Sequence, residues 1–160
     1  MEDYFKKVLQ AQVYEVAKKT PLEKANNLSK ALKNNIYLKR EDLQDVFSFK
    51  IRGAFNKMRQ LPLSQLAKGV ITSSAGNHAQ GVALSALKLN CRATILMPIT
   101  TPLVKVNAVR DLKAKVILFG DNYDETYKEA VRLSKEHNLC FIHAFDDPEV
   151  IAGQGTIAIE

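Results

Sequence analysis

Four short apolar runs punctuate the middle of the chain: 69–74 (GVITSS), 93–98 (ATILMP), 114–120 (AKVILFG) and 139–144 (LCFIHA). Each is aliphatic or β-branched with little polar alternation, the pattern of a strand buried on both faces. Amphipathic helical patterns separate them, over 77–88, about 102–111 and 121–136. The strand-to-strand spacing of roughly 23 residues suits βαβ crossovers. Residues 69–144 are therefore predicted to form a parallel α/β unit.

Local signals set the expected helix starts. Thr101 should cap a helix with Pro102 in its first turn, Asp121 should cap the next, and Asp147 should cap a third with Pro148 at its first position. Upstream, Thr20-Pro21 leads into a predicted helix, and 35–42 (NIYLKRED) reads as a strand ending in charge. A helix follows over 48–61, with Ser48 as its natural cap. The final segment, 153–160 (GQGTIAIE), reads as the opening of a helix without a stop signal, so the protein is expected to continue beyond Glu160.

Composition narrows the class. A chain of 160 residues with 46% apolar and 25% charged residues is long enough for a packed core and too apolar for disorder. It has no apolar run near membrane-span length, and its first ten residues (MEDYFKKVLQ) lack a signal-peptide core, so a cytoplasmic protein is expected. Two isolated cysteines, Cys91 and Cys140, suit neither a zinc cluster nor a disulfide framework. The net charge of +6 is uneven: residues 51–110 hold eight Lys or Arg and no acid. That is either a dispersed solvated surface or a field for a small anion. Dispersal of the cations, with Phe55 the one aromatic among them, weighs against a nucleic-acid face.

Two stretches carry candidate chemistry. In 73–81 (SSAGNHAQG), closely spaced backbone N–H groups follow a predicted parallel strand and open a helix, an arrangement that holds anions. Gly76 would permit close approach of a ligand or a positive φ. A loop that only caps its helix is the equal alternative on these residues alone. In 48–54 (SFKIRGA), Lys50 sits in a helical first turn, where the helix dipole, burial beside Phe49 and a nearby Arg52 would all disfavour its charge. A partly neutral lysine can condense with an aldehyde, although most lysines are merely solvated. The match of 153–158 (GQGTIA) to a dinucleotide fingerprint is weak, because no strand precedes it. His78 is expected to bond within its helix or loop, His137 to end a helix, and His143 to have no obvious partner.

SFKIRGA, SSAGNHAQG and IAGQGT in that order resemble the fold type II pyridoxal-phosphate enzymes, and among them the biosynthetic threonine dehydratases. TPL at 20–22, LKRED at 38–42, MPITTP at 97–102 and DDPEVIAGQGT at 146–156 extend the likeness over nearly the whole chain. The resemblance implies an α/β architecture divided as 1–52, the start of a large cofactor domain, 53–145, a small parallel-sheet domain, and 146–160, a return to the large one. It implies that Lys50 carries pyridoxal 5'-phosphate and moves the substrate's α-proton. Asn77 would bond the cofactor ring, Phe49 would pack beside it, and Ser74, Ala75, Gly76, Asn77 and His78 would hold the substrate carboxylate. The implied reaction is dehydration and deamination of L-threonine, or of L-serine, by a homotetramer. A serine racemase, using Ser73 or Ser74 as a second proton-transfer group, is the alternative enzyme. The family's phosphate-binding glycine cluster is not found here, since all seven glycines are isolated. An inactive remnant is therefore the alternative of a different class.

Overall fold

A computed structural model describes residues 3–160. At its centre lies a four-stranded parallel sheet of β3 (Val70–Ser73), β4 (Ala93–Met97), β5 (Lys115–Leu118) and β6 (Cys140–Phe141), in the order β5-β4-β3-β6. The expected unit is thus present, with β6 only two residues long. Alternate side chains of the strands fill two cores. Val70, Ile95 and Met97 pack with Ala79, Val82, Ala83 and Ala86 of α5 (Asn77–Lys88) and with Val106 and Val109 of α6 (Leu103–Asp111). Ile71 and Leu96 face the other way, onto Ala130 and Leu133 of α7 (Tyr123–Glu136). Burial on both faces is why β3 and β4 read as continuous apolar runs, whereas the edge strand β5 has exposed ends. The chain leaves β3 towards β4 on one side and returns to β6 on the other, so the carboxyl end of β3 is a topological switch point, where open α/β sheets bind ligands.

The remaining elements are α1 (Tyr4–Gln10), β1 (Leu22–Lys24), α2 (Asn26–Ala31), β2 (Tyr37–Lys39), α3 (Lys50–Arg59), α4 (Leu63–Leu66) and α8 (Pro148–Ile159). Several start signals act differently from expectation. After Thr20-Pro21 comes β1, paired antiparallel with β2 (Leu22 opposite Lys39), and only then a helix. Pro102, not Thr101, occupies the cap position of α6, and the Thr101 hydroxyl is buried without a partner. Asn122 displaces Asp121 as the cap of α7: its Oδ1 accepts from Glu125 N at 3.0 Å, while Glu125 Oε2 accepts from Asp121 N at 3.0 Å. Glu125 thus reaches back one residue beyond the cap, a variant of the capping box in which the Asp121 backbone rather than its side chain is used. Asp147 caps α8 as expected, accepting from Glu149 N at 2.8 Å and Val150 N at 3.2 Å, with Pro148 in the first turn. Ser48 Oγ accepts from Lys50 N at 3.3 Å, but Phe49 holds the cap position of α3.

α3 is buried along most of its length, between α5 and α8. The glycines of 153–155 lie in the interior of α8 rather than at a helix opening. A Cβ on Gly153 would stand 2.6 Å from the Arg52 carbonyl and 2.7 Å from Gly53 Cα, so the glycines bring two helix backbones together. No dinucleotide fold surrounds them. Arg52, fully buried, fastens the same crossing. Its guanidinium donates to Glu41 at 2.8 Å twice, to Glu160 at 2.7 and 3.2 Å, to Thr156 Oγ1 at 3.1 Å and to the Lys18 carbonyl at 3.1 Å. Burial raises the Glu160 carboxyl, but hydrogen bonds from Arg52, Lys39, Thr20 N and Tyr14 outweigh it and hold the group down to about 2. Glu41 is held low by the bonds from Arg52 and Thr20, again against burial.

Gly153→Ala is expected to lower unfolding free energy by about 1–3 kcal/mol through overpacking, despite the better helix propensity of alanine, as measured by denaturant titration. Arg52→Met, which strips Glu41 of its cation and leaves Glu160 with Lys39 alone, is expected to cost about 3–5 kcal/mol. Because the folded carboxyls titrate below their unfolded value of 4.5, their contribution is complete above that pH. It is expected to disappear as pH falls towards about 2, where folded Glu160 protonates. Thermal melts across that acid range check the sign.

Candidate active site

The loop from Ser74 to Gly76 crosses the switch point between β3 and α5. Ser74 N donates to the Leu96 carbonyl at 3.0 Å, which extends the sheet by one bond, and Ser74 Oγ accepts from Gly76 N at 3.2 Å. The N–H groups of Ala75, Asn77 and His78 find no acceptor among the described residues. They lie at the positive end of a 12-residue helix, an anion cradle by geometry and by charge. Gly76 is extended, with φ −132°, rather than in a positive-φ turn, and nothing stands within 4 Å of where its Cβ would be. The Asn77 side chain is exposed and its amide has no partner among the described residues.

His78 turns the other way. Its ring is 3% exposed, and Nε2 lies 3.2 Å from the Ile142 carbonyl at the end of β6 instead of bonding within its own helix or loop. Burial pushes its pKa down to about 4, and nearby Lys50 and His143 add to the shift. Only its backbone N–H remains at the cradle. Nδ1 of His78 and Oγ of Ser73 are buried without partners among the described residues.

Lys50 is the first residue of α3 and is half-buried. Its Nζ donates to the Ala144 carbonyl at 2.9 Å and stands 5.4 Å from the centre of the Phe49 ring, which is itself partly exposed. Burial lowers the pKa of the amine. Arg52 contributes nothing to that shift: two positions along the helix it points away, engaged with Glu41 and Glu160. The two motifs meet because Gly81, at the end of SSAGNHAQG, lets α5 touch the first turn of α3. A Cβ there would stand 3.1 Å from the Lys50 carbonyl carbon and oxygen.

The basic stretch 51–110 does not converge on the cradle. Arg52, Lys57 and Arg59 are ion-paired, to Glu41 and Glu160, to Asp147 and to Glu15. Lys68 and Arg92 join Lys113, Lys115 and His137 around a cavity of about 550 Å³ at the opposite, amino end of the strands. Several of these cations follow helix carboxyl ends, where the dipole welcomes them. His143 does have partners: its Nδ1 accepts from Phe145 N at 3.3 Å and Asp146 N at 2.8 Å. The Ala144 carbonyl is the feature that sequence reasoning missed. No side-chain pattern marks a backbone acceptor, and the apolar run carried the expected strand through to 144.

These residues fit a cofactor that carries an aldehyde. A half-buried amine of lowered pKa is positioned to condense with it. N–H groups unpaired among the described residues open the neighbouring helix, and the exposed Asn77 amide stands in the same turn. Among the described residues no group of three or more His, Cys, Asp or Glu could hold a metal ion, and no helix is long and apolar enough to cross a membrane.

Comparison with known proteins agrees with the geometry. The family model described as pyridoxal-phosphate dependent enzyme matches residues 13–160. The chain is 57% identical to L-threonine dehydratase biosynthetic IlvA of Burkholderia multivorans over 161 residues, which is 99% of this chain and 32% of that protein. It is 58% identical to a biosynthetic, chloroplastic threonine dehydratase of Arabidopsis thaliana over 158 residues, 99% of this chain and 27% of that one. The chain thus spans about a third or less of the curated relatives it matches. The processed form of threonine deaminase isoform 2 from Solanum lycopersicum superposes with a TM-score of 0.93 at 54% identity, covering 98% of this chain and 43% of that one. Maize serine racemase follows with a TM-score of 0.91 at 29% identity, covering 96% and 47%. With its family model matched over nearly its whole length and its lysine and cradle brought together at a switch point, the chain belongs to the pyridoxal-phosphate dependent enzymes, in the α/β architecture of fold type II.

Proposed function

We propose that these residues are part of a threonine dehydratase that eliminates water from L-threonine, the resulting enamine then being hydrolysed to 2-oxobutanoate and ammonia, the entry reaction of isoleucine biosynthesis. The observation that carries this reading is the half-buried Lys50 amine, positioned by α3 beside an anion cradle at the start of α5. Lys50 holds the cofactor through its amine and, once free, takes the α-proton of the substrate. The N–H groups from Ser74 to His78 bind the substrate carboxylate, as their unpaired state and the helix dipole favour. Asn77 bonds the cofactor ring through its free amide, and Phe49 flanks the ring. Pyridoxal 5'-phosphate supplies an electron sink, and the chain supplies orientation and a dry setting for proton transfer.

In this reading residues 1–52 and 146–160 belong to a larger cofactor domain and 53–145 to a small one; residues 1–2 lie outside the described residues. The bonds that Glu160 accepts from Tyr14, Thr20 N, Lys39 and Arg52 support joining the two outer segments. The complete protein is read as a cytoplasmic tetramer. Two features weigh on the racemase alternative. The Ser74 hydroxyl is already engaged with Gly76 N, and Ser73 is buried, although its hydroxyl has no partner.

The full-length protein given L-threonine is expected to release 2-oxobutanoate, and D-serine formation from L-serine should be minor. A dominant racemase activity would overturn the assignment. Lys50→Ala should lower kcat by at least about 10³-fold, the loss expected for a proton-transfer group. Asn77→Ala should lower it about tenfold, the worth of one hydrogen bond, with an unchanged thermal midpoint.

A further inference from the structure

The Lys50 amine donates to one carbonyl, that of Ala144. Ala144 belongs to no strand or helix; it lies between β6 and α8. Side chains pin this segment on both flanks. On the near side, Ile142 N donates to the Ile71 carbonyl at 2.9 Å, and the Ile142 carbonyl accepts from Thr72 Oγ1 at 2.7 Å and faces His78 Nε2 at 3.2 Å. On the far side, the His143 ring accepts the N–H groups of Phe145 and Asp146, and Asp147 caps α8. Because its partner is a carbonyl, Nε2 of His78 carries the proton, and burial keeps the ring neutral. Without that bond the Ile142 carbonyl and the ring would both lose a buried partner.

We propose that His78 is a positioning residue: through Ile142 it fixes the segment whose Ala144 carbonyl receives the Lys50 amine whenever that amine is free. One helix would then serve both halves of the site. The first turn of α5 forms the cradle, while His78, in the same turn, points inward and sets the resting place of the lysine. The functional meaning rests on the reading of Lys50 as the cofactor lysine; the contact itself does not. An acceptor at Ala144 favours the ammonium form of Lys50 and opposes the effect of burial. Loosening the segment should therefore make the amine nucleophilic at lower pH.

The test uses full-length protein freed of cofactor. It is pulsed with acetic anhydride at a series of pH values, and the Lys50 peptide is quantified by mass spectrometry. In His78→Leu the midpoint of Lys50 labelling is expected to fall by about one pH unit. His78→Asn, polar but too short to reach Ile142, should shift it likewise and keeps the test decisive if the leucine variant does not fold. His78→Gln, whose amide nitrogen can reach the carbonyl, should restore the original midpoint. Unchanged midpoints in folded Leu or Asn variants would overturn the inference. Equal shifts in all three variants would also overturn it, since they would mark a general packing effect. Cofactor found attached to another lysine would defeat the proposed function and leave these midpoints to decide this inference alone.

Discussion

α3 is approached so closely by two other helices that side chains are excluded at the contacts. Gly53 and Gly153 let α8 cross it backbone to backbone, and Gly81 lets α5 press on the carbonyl of Lys50. Close approach fixes direction, because a helix held by its backbone on two sides cannot slide or rotate without a clash. The first residue of α3 therefore points to one place, the carboxyl end of the parallel sheet. Arg52 adds an electrostatic lock. Its donors converge on carboxylates from residues 41 and 160, so the segment before α3 and the end of α8 are joined through one buried guanidinium. Such a group stabilises only when every donor is satisfied, as here.

The site follows from that arrangement. A parallel sheet whose strand order reverses at β3 leaves a crevice there. The loop after β3 opens a helix at that crevice, and the first turn of α3, which carries Lys50, packs against the same helix at Gly81. The amine owes its lowered pKa to burial; the neighbouring guanidinium is neutralised by its own carboxylates. Two cations two residues apart on one helix thus do separate work, one structural and one chemical, because helical geometry turns them to different sides.

Much of this was readable in the amino-acid order. The four strands announced themselves as apolar runs, β3 and β4 because both of their faces are buried, and Asp147-Pro148 marked the start of α8 by local chemistry alone. The lysine and loop motifs pointed to a shared site through resemblance. Other features had no local signal. The strand β1 is three residues long with every side chain exposed, so no apolar alternation betrays it. The partners of Arg52 lie 11 and 108 residues away, and no spacing rule connects them. The glycines at 153 and 155 matched a dinucleotide fingerprint only weakly, and no local signal showed that Gly153 instead serves the close approach of a neighbouring helix. His78 turned inward because an acceptor waited at Ile142, a backbone atom that no sequence pattern marks.

The account stands or falls on Lys50 being the residue that the helix crossing presents to the cofactor. Borohydride reduction of the full-length protein, followed by peptide mass spectrometry, tests that most directly, since reduction locks the link between a lysine amine and pyridoxal phosphate. A pyridoxyl mass on the peptide containing Lys50 is the predicted result. The same mass on a different lysine, with the Lys50 peptide unmodified, would contradict it.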